Sequence, residues 1–131
     1  MNTISETGYV DQAEAVIKKL NGKVNPRNGR PEPMVTTSKL RNLLAMTDDI
    51  YNEILTASED KLSEEIVGRI SYLRMRFVYE AGREPKVKDL VTEAKILEIL
   101  KEIGNSKKNF ILFTHYMEAL VAFHKFYGGK D

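Results

Sequence analysis

The sequence lacks cysteine and tryptophan, and it has no long uninterrupted run of apolar residues. Without cysteine the chain can form neither a disulfide nor a thiolate metal site, so packing must hold the fold together. The opening segment carries Glu6, Asp11 and Glu14 where a signal peptide would need an apolar core. No later segment approaches the length of a membrane span. We therefore expect a cytoplasmic protein with no membrane partner.

The chain also lacks an excess of charge of either sign. Its 20 Lys and Arg residues stand against 19 Asp and Glu residues, which gives a formal net charge of +1. Domains that coat DNA by bulk attraction usually carry a clear basic excess, so any contact with nucleic acid must come from a local patch. With 131 residues, 42% hydrophobic and 30% charged, the composition is that of one ordinary globular domain.

Apolar residues recur with the three-and-four spacing of helices, and no segment alternates with the period of a strand. The first predicted helix covers Tyr9–Asn21. Prolines and glycines between Gly22 and Val35, with Arg27 and Arg30 among them, then predict a linker or a mobile basic loop. Four further predicted helices begin near Thr36, Lys61, Pro85 and Ser106.

These patterns predict an all-α fold, a small bundle of about five helices in a single domain. Residues 1–35 are expected to form an N-terminal helix and loop, and residues 36–131 the core of the bundle. The predicted fourth helix runs without a break from Pro85 to Gly104. The fifth has apolar residues around most of its circumference, which is typical of a central helix or one that also faces a partner.

The third predicted helix carries the sharpest functional signal. At about 100° per residue, its core residues fall within about 80° of Leu62. Beside that core face, basic and aromatic residues alternate along what we name the basic-aromatic strip: Arg69, Tyr72, Arg76, Tyr79 and Arg83. Arginines one to two turns apart can each bind a phosphate in bidentate fashion, and tyrosines can stack on bases or donate to phosphate. The strip is therefore a candidate RNA-binding surface.

A second reading of the same residues is purely structural. Glu65 and Glu80 lie close to the strip and can pair with its arginines, while the tyrosines pack on a neighbouring helix. Helix faces of mixed charge are commonly just solvated. The sequence alone leaves both readings open.

Basic residues also crowd the first turn of the second predicted helix, where Lys39 and Arg41 follow Thr37 and Ser38. Unpaired backbone N–H groups and the positive end of the helix dipole favour an anion such as phosphate there. The alternative is a plain N-cap followed by two exposed basic side chains.

The sequence offers no candidate catalytic or metal-binding site. His115 and His124 are nine residues apart, so on one helix they point to opposite sides and cannot share a metal ion. His124 is expected to be a core histidine, and Asp48 and Asp49 part of a solvated face. No catalytic triad or glycine-rich phosphate-binding loop is present. Gly128 and Gly129 are typical of the C-terminal end of a helix. We expect no metal, cofactor, small-molecule substrate or enzymatic activity.

Motifs in the order Thr36–Asn42, Leu73–Arg76, Tyr79–Arg83 and Phe110–Lys125 cover about three quarters of the chain. Through them the sequence resembles the small helical subunit of type III-A CRISPR effector complexes, the Csm complexes that act in antiviral defence. Residues 1–34 carry no motif of this kind.

The resemblance implies a non-catalytic helical bundle that stacks in several copies along the inner side of the complex. Its implied partners are the guide RNA (crRNA), the target RNA, other Csm-complex subunits and copies of itself. The phosphate contacts carried over from the motifs are Lys39, Arg41, Arg74, Arg76 and Arg83. Arg69 joins this set from the strip alone. Arg74 lies on the other flank of the core face, so the motif and the strip do not describe one surface.

Two other classes of function are weighed against this one. A pure scaffold would dock the strip onto acidic patches of neighbouring subunits and never touch RNA. A small hydrolase or nuclease is disfavoured because no acid, base and metal set is present.

Overall fold

The protein, described here as a computed structural model, is a bundle of α-helices. The structure describes residues 1–130, and within that range it has no β-strand. The helices are α1 (Tyr9–Asn21), α2 (Thr37–Leu55), α3 (Glu64–Arg83), α4 (Pro85–Glu93), α5 (Ile96–Glu102) and α6 (Lys107–Phe126). The predicted all-α class is confirmed. None of these helices is long and apolar enough to cross a bilayer.

Three helices begin at hydroxyl side chains that cap them. The hydroxyls of Thr36, Ser63 and Ser106 accept backbone N–H groups three residues further on, at 3.3, 3.2 and 3.1 Å. Each bond satisfies one of the N–H groups that a first turn leaves without an intrahelical partner. Thr36 is therefore the cap of α2. Helix α4 begins instead with Pro85, which has no N–H to satisfy.

The prediction of one unbroken helix from Pro85 to Gly104 is wrong. The chain turns at Lys95, whose φ of 57° lies in the left-handed region, and this turn separates α4 from α5. The hydroxyl of Tyr116 on α6 donates to the Ala94 carbonyl at 3.0 Å and so satisfies this acceptor at the break. Ile96, the first residue of α5 after this turn, is fully buried.

The core surrounds α6, which packs against α1, α2 and α5. Phe77, Phe110 and Phe113 are fully buried, and Phe113 meets Phe77 edge to face with ring centroids 6.3 Å apart. Helix α3 closes the other side of the bundle against α2, α4 and α5. The wide apolar face of α6 is thus explained by burial among several neighbours.

Helix α1 packs against α6 and α4, and Ile4, Ile17 and Leu20 belong to the same core as the rest of the bundle. The hydroxyl of Tyr127 donates to Glu14 at 2.7 Å. Between α1 and α2, residues 23–32 form a short hydrogen-bonded hairpin in which Val24 pairs with Pro31. The predicted division of the chain at residue 35 stays a prediction, but residues on both sides of it belong to one hydrophobic core.

The last described residues, 128–130, fold back over the end of α6 and are named the C-terminal strap. The Lys130 carbonyl accepts the N–H of Thr37 at 2.8 Å, and the N–H of Gly129 donates to the His124 carbonyl at 2.8 Å. His124 is buried beneath the strap, and its Nε2 donates to the Val35 carbonyl at 2.6 Å. The strap therefore ties the end of α6 to the start of α2.

Candidate nucleic-acid interface

The basic-aromatic strip is exposed or half-exposed along most of α3. Tyr72 and Tyr79 are 57% and 56% exposed, so the tyrosines do not pack into a neighbouring helix. The strip covers about 21 Å of helix, at about 1.5 Å per residue. Phe77 and Leu73 on the adjacent core face are buried, and they fix the orientation of α3 in the bundle. The strip is thus a rigid, solvent-facing row of cations and rings.

Arg76 and Arg83 converge on one carboxylate. Arg76 Nη2 lies 3.7 Å and Arg83 Nη1 3.6 Å from the same oxygen, Glu80 Oε1. Both guanidinium groups also lie over the ring of Tyr79, at 5.9 and 5.6 Å from its centroid. These pairs are long and half-exposed, and exposed ion pairs contribute about 0 to 1 kcal/mol each. A phosphate can therefore displace Glu80 at little cost.

Arg69 lies at the other end of the strip, beside a cleft of about 390 Å³ between α2 and α3. Its guanidinium forms an ion pair with Glu53, near the C-terminal end of α2. Tyr72 and Arg76 line the same cleft. Glu65 lines it too, yet within residues 1–130 it forms no ion pair. Three members of the strip therefore share one concave surface with α2.

At the N-terminal end of α2, Lys39 forms an ion pair with Glu84, the residue that follows α3. The hydrogen bond and the charge of Lys39 hold the pKa of the Glu84 carboxyl below its usual value. Lys39 and Glu53 lie on the same side of α2, about 40° apart around the helix. Glu53 pairs with Arg69 of α3, and Lys39 with the residue just after α3. Lys39 thus extends the surface that the strip begins.

Arg41 and Arg74 lie elsewhere. Arg41 is exposed, but it is about 200° around α2 from Lys39 and so faces away from α3. Arg74 lines a shallow cavity of about 110 Å³ with Ile70 and with Leu100 of α5, on the opposite flank of α3 from the strip. In the part of the chain that the structure describes, neither arginine forms an ion pair. The six predicted phosphate contacts therefore do not share one surface, because Arg41 and Arg74 lie apart from the other four.

The structure brings four of the predicted residues together on the α2–α3 face: Lys39, Arg69, Arg76 and Arg83. The sequence did not point to Glu53 and Glu84 as their partners. Both come from other elements, and only the antiparallel pairing of α2 with α3 places them here. No local signal in the sequence could have identified them.

The other polar groups among residues 1–130 do not form a second candidate functional site. His124 is a buried core histidine, as expected, although its Nδ1 and the buried hydroxyl of Thr37 find no hydrogen-bond partner among residues 1–130. Burial, with the neighbouring charge of Asp49, raises the pKa of the Asp48 carboxyl. Across the described residues no group of three His, Asp or Glu side chains is placed to hold a metal ion.

Comparison with known proteins identifies the family. A family profile described as Csm2 Type III-A matches residues 11–130. "CRISPR system Cms protein Csm2" of Streptococcus thermophilus is 42% identical over 131 residues, 100% of both chains. The protein of the same name from Mycobacterium tuberculosis (strain CDC 1551 / Oshkosh) is 37% identical over 129 residues, 98% of each chain. That of Enterococcus italicus is 36% identical over 117 residues, 85% of this chain and 84% of the relative.

The profile covers all six helices except the first two residues of α1, and the first two relatives span almost the whole chain. The resemblance drawn from the sequence motifs is therefore confirmed. The chain belongs to the Csm2 family and is a small subunit of the type III-A CRISPR Csm complex.

Proposed function

We propose that this chain is a non-catalytic, RNA-binding subunit that holds the guide-target duplex by its backbone within a cytoplasmic Csm complex. The observation that carries the proposal is the exposed basic-aromatic strip, in which Arg76 and Arg83 converge on a single weakly bound carboxylate. Base pairing already supplies sequence specificity in such a duplex, so a protein needs to recognise only its shape and phosphates. Guanidinium groups in a fixed row meet that need.

The proposal assigns the phosphate contacts to Lys39, Arg69, Arg76 and Arg83 on the α2–α3 face. Arg41 and Arg74, on other surfaces, would contact a different strand or a neighbouring subunit. A few exposed contacts bind weakly once the loss of translational freedom is subtracted. Copies of the chain stacked along one duplex would gain affinity through high effective concentration. Stacking on other copies and on other Csm subunits is therefore part of the proposal.

Replacing both Arg76 and Arg83 with alanine is expected to weaken RNA binding about tenfold near 0.1 M salt. The double-logarithmic slope of affinity against salt should become shallower by about 1.4 to 1.8, since each phosphate contact contributes about 0.7 to 0.9. The measurement is binding of an RNA duplex by the isolated protein and by the assembled complex at several salt concentrations. A matched control is Lys61→Ala with Lys101→Ala, which removes two exposed positive charges away from the strip.

The competing function is a scaffold whose strip docks onto acidic patches of other subunits. In that case the Arg76 and Arg83 variant would assemble poorly, while its RNA affinity and salt slope would equal those of the lysine control. An enzymatic role is the third class, and turnover of RNA by the purified protein would support it against the proposal.

A further inference from the structure

The 23–32 hairpin presents two arginines that the proposed α2–α3 interface does not use. The N–H of Asn25 donates to the Arg30 carbonyl, and the N–H of Gly29 donates to the Asn25 carbonyl, each at 2.8 Å. Gly29 has a φ of 69°, in the left-handed region that favours glycine. The tip of this basic loop therefore has a defined turn.

Two asparagine side chains fix the tip further. Asn25 Oδ1 accepts the N–H of Arg27, and Asn28 Oδ1 accepts the N–H of Arg30, both at 2.9 Å. Such turns hold the backbone around each arginine without using its guanidinium group. Both guanidinium groups remain available, because among residues 1–130 neither arginine has an acidic partner. The strip differs in this respect, since each of its arginines lies beside a carboxylate.

The base of the hairpin is fastened to α4. Lys23 Nζ lies 3.8 Å from Asp89, and Lys86 donates to Glu32 at 3.0 Å. Helix α4 begins directly after Glu84, the residue that pairs with Lys39. The hairpin therefore stands at the end of the bundle where α2 begins and where the strip ends.

The geometry points to a second phosphate-binding site, formed by Arg27 and Arg30 at the tip of the 23–32 hairpin. We propose that its ligand is the ribose-phosphate chain of RNA that extends beyond the strip, which rests on the proposed RNA-binding function. Two guanidinium forks on a pre-ordered turn can each bind a phosphate with little further loss of conformational freedom.

An acidic protein surface fits this tip less well. Energetically important protein contacts are usually large side chains that become buried at the centre of an interface. Between its two arginines the tip offers only Asn28 and Gly29, and the apolar residues near it, Val24, Pro26 and Pro31, include no aromatic side chain. Phosphate recognition needs no apolar anchor, so the composition of the tip favours RNA.

The test is RNA binding of the full-length protein carrying Arg27→Ala and Arg30→Ala, with an RNA duplex of arbitrary sequence as the probe. We expect an affinity at least fivefold lower than that of the Lys61→Ala, Lys101→Ala control, with a salt slope shallower by about 1.4 to 1.8. The Asn25→Ala, Asn28→Ala variant keeps every charge. It should keep the salt slope and bind about threefold more weakly, because the tip is then less ordered.

Comparison with the Arg76→Ala, Arg83→Ala variant separates this proposal from the function on which it rests. If the strip variant loses affinity and the hairpin variant matches the lysine control, the hairpin site is overturned and the function stands. If only the hairpin variant loses affinity, the hairpin site stands and the assignment of the strip is overturned. If both match the control, both are overturned. Unchanged melting temperatures would exclude loss of the fold as the cause.

Discussion

Replacing Phe113 with alanine is expected to lower the free energy of unfolding by about 3 to 5 kcal/mol. Phe113 is fully buried on α6, and its ring lies 6.3 Å from that of Phe77 and 6.2 Å from that of Phe110. The change removes apolar surface from the core and leaves a cavity where α6 meets Phe77 of α3. Since small domains are stable by only about 5 to 15 kcal/mol, much of the stability would be lost.

The matched control for this change lies on the same helix. Phe126 is 78% exposed, so Phe126→Ala should change the free energy of unfolding by no more than about 0.5 kcal/mol. Urea unfolding followed by circular dichroism measures both values from the midpoint and the slope. Equal losses in the two variants would show that α6 does not have the central position described here.

Replacing Gly129 with alanine is expected to destabilise the protein by about 1 to 3 kcal/mol. A Cβ atom at this position would overlap Cε1 and Nδ1 of the His124 ring, which is itself buried. The C-terminal strap would have to move away, and the bond between the N–H of Thr37 and the Lys130 carbonyl would be lost. The start of α2 would lose a tertiary contact as a result.

Gly68 provides the control, because the same substitution there should raise the free energy of unfolding and not lower it. A Cβ on Gly68, inside α3, would meet no atom within 4 Å. Alanine is favoured over glycine within a helix by about 0.5 to 1 kcal/mol, so Gly68→Ala should stabilise the protein. Comparing the thermal unfolding of the two variants with that of the unchanged protein tests both predictions. A Gly129→Ala variant as stable as the Gly68→Ala variant would contradict the close packing of the strap on His124.

Much of the fold could be predicted from the sequence because the spacing of apolar residues agrees with the residues that start and stop helices. Helix α1 has the predicted bounds, and the apolar stripe of α3 identifies its buried face. The break at Lys95 could not be predicted, since lysine seldom adopts a left-handed backbone and Ile96 continues the helical pattern. The hydroxyl of Tyr116, far along the chain, makes the break possible. Tertiary contacts of this kind leave no local signal.

The candidate interface was predictable to a similar extent. Helical geometry alone places the strip on one face of α3 and separates Arg74 from it, and both placements hold in the structure. The pairing of Arg69 with Glu53 and of Lys39 with Glu84 was not predictable, because it depends on how α2 packs against α3. In the proposed RNA-binding function, phosphate would have to displace these carboxylates from the cations. Each displacement would subtract a little from the affinity of a single subunit.

The most direct test is crosslinking within the assembled complex. A photoreactive amino acid in place of Tyr79, at the centre of the proposed interface, should form a covalent link to the target or guide RNA on irradiation. The same group in place of Val10, which is exposed on α1, serves as the control position. We predict RNA crosslinks from position 79 well above those from position 10. Crosslinks from position 79 to protein subunits alone would contradict RNA binding by the strip.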